Sequence, residues 1–306
     1  MRSYTYYVVG SINMDLVTTV SRFPKPGETI KGNSFFTNPG GKGGNQACAL
    51  ARLGAPVHMA GKVGDDGFGD LYLDYFKEEG IDNSDIDREK NISTGIAVIE
   101  VEPSGENHIV LVPGANDLVD THFADRISSS FNPHSIVLLQ LEIPLETVLH
   151  TLKAAKAKGA VTILDPAPAQ VLPEEIYRYI DYLTPNSTEI SVLSEMPAET
   201  DGQLRAAAEH LLSKGARAII AKRGEKGASV FTSEGLSEVK GFSVQAVDTT
   251  AAGDSFNAGL AYGLGQDYSL TEAVRFANAV GALSTLKMGA QTAMPRLQAV
   301  QDLLSE

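Results

Sequence analysis

The sequence has few of the residues that build disulfides, metal clusters or nucleic-acid surfaces. Cys48 is its only cysteine, which excludes a disulfide framework and a thiolate metal cluster and predicts a small buried side chain. Its 25 basic residues are outnumbered by 38 acidic ones, and the net charge of −13 argues against nucleic acid or an anionic membrane as a partner. The six histidines lack the i, i+4 spacing of a zinc helix.

Long apolar runs are also lacking. No uninterrupted run approaches the ~20 residues that cross a bilayer, and the stretch from Met1 to Gly10 has no apolar signal core. We therefore expect a cytoplasmic protein. Neither the Walker phosphate loop nor the dinucleotide-binding glycine pattern occurs. The 306 residues, 43% of them hydrophobic, suffice for one large α/β domain or two medium ones.

What is present centres on residues 246–259, which read AVDTTAAGDSFNAG. Phe242 to Val247 alternates as a strand does, and Ser255 to Leu264 has the composition of a helix. The small residues between them let a ligand approach the backbone, and the free amides of a helix start favour phosphate. Asp254 beside this turn is either a general base for phosphoryl transfer or a simple helix cap. This stretch alone does not decide between the two.

A second glycine-rich stretch, Gly40 to Gln46, runs into a predicted helix from Ala47 to Leu53. Its backbone can approach a ligand closely, while Lys42 supplies charge and Asn45 supplies donors and an acceptor. A flexible linker is the alternative, but linkers seldom continue directly into an apolar-periodic helix.

Asn13 and Asp15 follow the predicted first strand, Tyr4 to Gly10. In an extended segment, side chains two positions apart point to the same side, so Asn13 and Asp15 form a fork suited to sugar hydroxyls. An ordinary Asn/Asp turn is the alternative.

From Ser135 onward, strands and helices alternate regularly, which predicts a largely parallel sheet covered on both faces. Two regions interrupt this order: the extended Ile30 to Phe36, and a hairpin formed by Gly95 to Val101 and Asn107 to Val112. They predict a small separate sheet that acts as a lid and excludes water.

Polar residues recur after the predicted strands of the main sheet, where α/β proteins place ligands. Glu142 and Asp165 follow two of these strands. Asn186 and Glu189 follow the third and suit either a hydrated Mg²⁺ or a helix N-cap. The glycine-bounded turn from Lys222 to Gly227 either covers a nucleotide or is a plain hairpin.

Together these residues resemble the ribokinase family of carbohydrate kinases. The resemblance extends from about Val8 to Pro295 and includes two family signatures, Gly40 to Gln46 and Asp248 to Phe256. It implies a doubly wound α/β fold with helices on both faces of a mostly parallel sheet. It also implies one kinase domain over residues 1–306, with lid segments at about 16–38 and 93–113. The implied reaction is transfer of the ATP γ-phosphoryl group to the 5-hydroxyl of D-ribose, in a homodimer formed through the lid.

The same resemblance implies roles for individual residues. Asp254 would be the base, and the amides of Ala251, Ala252, Gly253 and Asp254 would form the anion hole. The implied sugar contacts are Asn13, Asp15, Gly41, Lys42, Asn45, Glu142 and Asp254. The implied nucleotide contacts are Asn186, Lys222, Gly224, Gly227, Ala252, Gly253 and Asn278. Mg²⁺ would be held through water by Asn186 and Glu189, and K⁺ by Asp248, Thr250, Ser284, Lys287, Gly289 and Ala293.

The chain departs from the family pattern on the nucleotide side. Asp165 stands where the family usually has asparagine, Ser187 interrupts the usual Asn-Glu-Thr-Glu run, and Lys222-Arg223 replaces a neutral pair. Two other functions are compatible with the sequence. One is a kinase for a related sugar or nucleoside, and the other is a sugar-binding regulator without catalysis. The regulator is disfavoured because it needs no carboxylate beside bound phosphate.

Overall fold

The computed structural model describes residues 4–306. Its strands are β1 Thr5–Val9, β2 Asn13–Thr19, β3 Ser34–Gly40, β4 Val57–Gly64, β5 Asp82–Glu89, β6 Gly95–Val101, β7 Asn107–Val112, β8 Ser135–Leu139, β9 Val161–Leu164, β10 Tyr182–Leu183, β11 Ala218–Lys222, β12 Ala228–Thr232 and β13 Gly235–Val239. Its α-helices are α1 Lys42–Arg52, α2 Gly67–Glu78, α3 Thr121–Ser128, α4 Leu145–Ala157, α5 Ser187–Ser194, α6 Asp201–Ser213, α7 Ala252–Gly265, α8 Leu270–Ser284, α9 Ala290–Ala293 and α10 Leu297–Ser305. The first three residues of the predicted domain lie outside the described range.

Most of the chain builds one large sheet with the strand order β13-β12-β11-β10-β9-β8-β1-β4-β5. The strands from β11 to β5 are parallel, and β12 and β13 add an antiparallel edge. Alternate residues of β1 enter opposite cores: Tyr6 and Val8 pack on one face, and Tyr7 and Val9 on the other. Both faces are therefore buried, as expected for parallel strands between helices, and the predicted fold class is confirmed.

A separate small sheet has the order β3-β2-β6-β7. It leaves the large sheet at the carboxyl end of β1, because β2 begins at Asn13 only a few residues after Val9. β3 ends at Gly40, and the chain continues directly into α1. These two junctions lie where the sequence predicts a ligand, whereas β6 and β7 join the small sheet after β5 and are followed by α3.

Several predicted element boundaries were wrong. Residues 242–247 form no strand, and the amide of Val247 instead bonds to the Thr285 carbonyl at 2.7 Å. Alternation alone was misleading here, because a strand also needs a neighbour to pair with. The composition of residues Pro173 to Ile180 predicts a helix, and residues 174–179 form a 3₁₀ helix. Helical periodicity also predicts that Leu71 shares the apolar face of α2, but Leu71 is 58% exposed.

Two helices begin earlier than predicted. The glycine-rich stretch itself forms the first turns of α1, which begins at Lys42 instead of Ala47. Likewise α7 begins at Ala252 instead of Ser255. The low helix propensity of glycine argued for a later start, but close packing in this fold overrides it. No helix within residues 4–306 is long and apolar enough to cross a membrane.

Candidate active site

The carboxyl ends of the parallel strands surround a cavity of about 300 Å³. Its lining comes from the ends of β9 and β11 and the first turns of α1, α5 and α7, so residues far apart in sequence meet here. The lining residues are Lys42, Asp165, Ala167, Asn186, Glu189, Lys222, Gly224, Thr249, Ala251, Ala252, Gly253 and Asp254. The position agrees with the rule that open α/β sheets bind ligands at this edge.

The N-terminus of α7 presents free backbone donors to the cavity. Ala251 precedes the helix in a left-handed conformation, with φ 58°, which is costly for a residue with a side chain. The amides of Gly253 and Asp254 find no acceptor within residues 4–306. Free amides at the positive end of a helix dipole form a site for an anion.

Asp254 is 5% exposed, and its side chain bonds to a neighbouring helix. Its carboxylate accepts hydrogen bonds from Asn45 Nδ2 at 2.9 Å and Gln46 Nε2 at 3.1 Å, both on α1. It makes no capping bond to α7, so the helix-cap interpretation does not describe it. Burial raises the pKa of Asp254 to about 6, and the charge of Asp165 adds to the increase while Lys42 opposes it.

A second polar group lies on the small-sheet side of α1. Glu142 Oε2 accepts from Ser11 Oγ at 2.5 Å, from the Lys42 amide at 3.2 Å and from Asn13 Nδ2 at 3.4 Å. Burial, followed by the charges of Glu142 and Asp254, raises the pKa of Asp15 to about 7. The predicted sugar residues are therefore brought together from separate elements.

Lys42 lies between these carboxylates. Burial alone would lower its pKa, but the nearby charges of Asp254, Asp165 and Glu142 outweigh burial and raise the pKa of Lys42. The ammonium group is therefore charged at neutral pH. Gly41, which precedes it, has φ 79° and lies against the backbone of residues 11–13. A side chain at position 41 would be strained and would also clash.

On the opposite side of the cavity, Asn186 and Glu189 form a reciprocal cap at the start of α5. Asn186 Oδ1 accepts from the Glu189 amide at 2.8 Å, and Glu189 Oε2 accepts from the Asn186 amide at 2.7 Å. Both residues also line the cavity. The capping interpretation is therefore confirmed, and both carboxylate oxygens of Glu189 take part, since Oε1 accepts from Asn186 Nδ2 at 2.9 Å.

Two residues that depart from the family pattern contact each other. Lys222 Nζ lies 2.9 Å from Asp165 Oδ1, although the residues are 57 positions apart. The other carboxylate oxygen of Asp165 accepts from Gln46 Nε2 at 3.2 Å. Asp165 is thereby linked to the side chain that also holds Asp254.

Some predicted residues lie outside the cavity lining. Asn278 is buried on α8 and donates to the carbonyl groups of Val239 and Lys240, each at 3.2 Å. Gly227 has φ 90° and lies against residues 239–241. Both residues shape the segment that follows β13.

The residues predicted for K⁺ meet in part. Asp248 accepts from Thr250 through one oxygen and from the Gly289 amide, at 2.9 Å, through the other. Ser284, at the end of α8, is buried and donates to the Gly281 carbonyl. Lys287 is exposed, and Ala293 is buried on α9.

The sequence interpretation missed several buried polar residues that support the site. Asn116 donates to Asn13 Oδ1 at 2.7 Å and accepts from the Ile12 amide at 2.9 Å, so it orients the Asn13 amide. Gln291 Nε2 donates to Asn45 Oδ1 at 3.0 Å and lies 2.6 Å from the Tyr72 hydroxyl. Tyr72 in turn donates to the Gly40 carbonyl. Gln46, which holds Asp254, was not assigned a role either, although it belongs to the glycine-rich signature and so carried a sequence signal.

Comparison with known proteins identifies the class of this arrangement. Residues 5–297 match the pfkB family of carbohydrate kinases. A ribokinase from Haemophilus influenzae is 40% identical over 300 residues, covering 98% of this chain and 98% of that protein. A deoxyribokinase from Salmonella typhi is 36% identical, covering 97% of this chain and 98% of that protein. The structure of Arabidopsis thaliana ribokinase complexed with ribose and ATP has a TM-score of 0.90 at 33% identity and covers 99% of both chains.

The chain therefore belongs to the pfkB family of carbohydrate kinases. It is an ATP-dependent sugar kinase that resembles ribokinases along its length.

Proposed function

We propose that the protein transfers the γ-phosphoryl group of ATP to the 5-hydroxyl of D-ribose. The observation that carries this proposal is the buried Asp254 carboxylate, held by Asn45 and Gln46 beside the free amides of α7. The names of the ribokinase relatives and the ribose complex of the Arabidopsis protein support ribose as the acceptor.

In this mechanism Asp254 is the general base. It accepts the proton of the 5-hydroxyl as that oxygen attacks the γ-phosphorus, the bond to the β-phosphate oxygen breaks, and ADP leaves. The amides of Ala251, Gly253 and Asp254 stabilise the charge that develops on the transferred group. The Ala252 amide belongs to the same turn but donates to the Thr249 carbonyl at 3.2 Å. The proton then passes from Asp254 to solvent when the product departs.

The sugar would be bound by the groups around Glu142. Asn13 and Asp15 present an amide and a carboxylate, respectively, to neighbouring hydroxyls, while Gly41 and Lys42 approach through the start of α1. Support comes from the hydrogen-bonded contacts of Glu142 with Asn13 and the Lys42 amide. Asn45 would contact both the sugar and the base.

The nucleotide phosphates would occupy the remainder of the cavity. Lys222 and Gly224 line it from the end of β11, and Ala252 and Gly253 line it from α7. Gly227 and Asn278 would shape the adenine pocket through the segment that follows β13.

Two cations belong to the proposal. Mg²⁺ would bind through water to Asn186 and Glu189, because carboxylate and amide oxygens suit its coordination, and it would neutralise phosphate charge. K⁺ would bind beside the segment from Asp248 to Thr250, among the carbonyl groups near Ser284, Lys287, Gly289 and Ala293. The Asp248 carboxylate, held by Thr250 and the Gly289 amide, supports this placement.

We also propose that the segments 16–38 and 93–113 form a lid over the sugar and join two copies of the chain. The small sheet carries Asn13 and Asp15 on β2, so its position affects the sugar pocket directly. Its exposed apolar residues support a dimer through the lid.

Phosphorylation of 2-deoxyribose is the second candidate, since a deoxyribokinase is 36% identical to this chain. The deciding experiment measures ADP formation with MgATP on ribose, 2-deoxyribose, fructose, arabinose and nucleosides, with and without K⁺. Highest kcat/KM on ribose, increased by K⁺, is the expected result. Preference for another compound would overturn the choice of sugar, and ribose binding without any turnover would indicate a regulator.

A further inference from the structure

The Lys222–Asp165 ion pair at the cavity is almost completely buried. Its side chains are only 13% and 3% exposed, and the charged atoms are 2.9 Å apart. Burying such a pair usually costs more in lost hydration than the attraction returns, so apolar residues would often stabilise the fold better. A pair at this position is therefore expected to serve the site.

The ammonium group of Lys222 lies beside the anion-binding turn. A Cβ atom built on Gly253 would stand 3.3 Å from Lys222 Nζ. The amides of Gly253 and Asp254, which have no acceptor within residues 4–306, begin at the same point. A phosphate oxygen bound by those amides would therefore also lie near the ammonium group.

The charge balance of the cavity also requires a cation here. Among the described residues that line it, three carboxylates (Asp165, Glu189 and Asp254) face two ammonium groups (Lys42 and Lys222). Without Lys222 the excess of negative charge in the lining would rise from one to two, and the lining would repel a nucleotide polyphosphate more strongly. The charges of Asp165 and Glu189 outweigh burial and raise the pKa of Lys222, so it stays protonated at neutral pH.

We propose that Lys222 binds the non-bridging oxygens of the nucleotide β- and γ-phosphates, and that Asp165 is a positioning residue that holds the ammonium group beside the amides of α7. Asp165 is itself fixed by Gln46, which also donates to Asp254. The proposal rests on the proposed function, because it requires that the nucleotide phosphates occupy this cavity.

The test compares nucleotides that differ only in the number of phosphates. Binding of ADP and of AMP is measured by calorimetry, without sugar, for the native protein, for Lys222→Met and for Asp165→Asn/Lys222→Met. Charged hydrogen bonds lost from Lys222 should weaken ADP binding by about 10- to 100-fold. AMP affinity should change by less than about 2-fold, because AMP lacks the phosphates that Lys222 contacts. The double variant removes both charges, so it keeps a folded protein available for measurement.

Kinetics separate the roles of the two residues. Asp165→Asn should raise the KM for ATP and lower kcat while leaving the KM for the sugar unchanged, and Lys222→Arg should recover part of the ADP affinity lost in Lys222→Met. Removal of the Asp165 charge should also shift the acidic limb of the kcat/KM profile to lower pH, since that charge raises the pKa of Asp254.

Lys156→Met is the matched control. Lys156 pairs with the buried Asp181 at 2.7 Å, at the amino-terminal ends of β9 and β10, whereas the cavity lies at the carboxyl ends of the strands. This variant should bind ADP like the native protein.

Equal weakening of ADP and AMP binding, or no weakening of either in a folded double variant, would show that the Lys222–Asp165 pair is only structural and would overturn the inference. Because ADP binding needs no sugar, failure of ribose as substrate leaves this result valid. Failure of the native protein to bind ADP would overturn the proposed function and this inference with it.

Discussion

Asp254 has lost most of its contact with water yet keeps two side-chain amide donors, from Asn45 and Gln46. Burial raises its pKa to about 6, so the group is deprotonated at neutral pH but is a stronger base than an exposed aspartate. Because proton transfer needs the deprotonated form, we predict that kcat/KM falls as the pH decreases through about 6. A pH profile with saturating MgATP measures this limb.

Asp254→Asn provides the control for that prediction. The variant retains an oxygen for hydrogen bonding but no basic group, so kcat should fall by roughly 10²–10⁴-fold. Sugar and nucleotide affinities should change little. Near-normal turnover in this variant would contradict the assignment of the base.

Single residues with a strong local signal were the ones that the sequence could identify. Asp254 and Lys42 lie in glycine-rich signatures, where small neighbours indicate a ligand beside the backbone. Asn116 and Gln291 carry no such signal, because their importance arises from partners more than 100 positions away, Asn13 and Asn45. The contact between Lys222 and Asp165 was likewise hidden by sequence distance.

At the scale of elements, the start of α1 requires glycine at position 43, because the helix passes close to the backbone of residues 10 and 11. A Cβ atom at Gly43 would stand 2.7 Å from the Gly10 carbonyl carbon and from the Ser11 oxygen. These are backbone atoms, so a rotamer change cannot relieve the clash. We predict that Gly43→Ala destabilises the protein by about 1–3 kcal/mol and weakens sugar binding. Denaturant unfolding and sugar titration measure the two effects.

Gly202→Ala is the matched control for this substitution. Gly202 is also helical, in the first turns of α6, but no atom lies within 4 Å of its added Cβ. This variant should keep the native stability or gain slightly, because alanine favours helix. A loss of stability equal to that of Gly43→Ala would show that the close contact with residues 10 and 11 is not the cause.

Most element types were predictable from periodicity, whereas few of their ends were. The short apolar run from Val161 to Leu164 predicts a strand with the observed bounds of β9, because it lies between a glycine-terminated helix and an aspartate and so has little freedom. The starts of α1 and α7 were predicted too late, since glycine and alanine look like loop in sequence and become helical only when packed. The run from 242 to 247 had the pattern of a strand but found no partner.

At the scale of the whole molecule, the face of the small sheet opposite Asp15 is apolar and exposed. Strand register places Phe35, Val98, Val110 and Val112 on this face, and Phe35 and Val110 are 64% and 62% exposed. We predict that the chain self-associates here, and that Phe35→Glu or Val110→Glu lowers the measured mass toward that of one chain. Analytical ultracentrifugation over a concentration series tests this.

Leu236→Glu serves as the control, because it places a carboxylate at an exposed apolar position on β13, the edge strand of the large sheet, away from the small one. A native protein that stays monomeric at every concentration would contradict the prediction. So would a Val110→Glu variant that associates like the native protein.

The junction between the two sheets has a consequence for how such an enzyme changes its substrate over evolution. One connection between the small sheet and the rest of the chain passes through Asn13 at the start of β2, and another passes through Gly40 at the end of β3, next to Gly41 and Lys42. The residues proposed to recognise the sugar are thus also the anchors of the small sheet. A mutation that adapts them to a new sugar will also alter how that sheet opens and closes. Glu142 follows β8 of the large sheet, but it accepts hydrogen bonds from Asn13 and from the Lys42 amide and so shares this constraint. We therefore expect substitutions that change the preferred sugar to change the position of the small sheet as well.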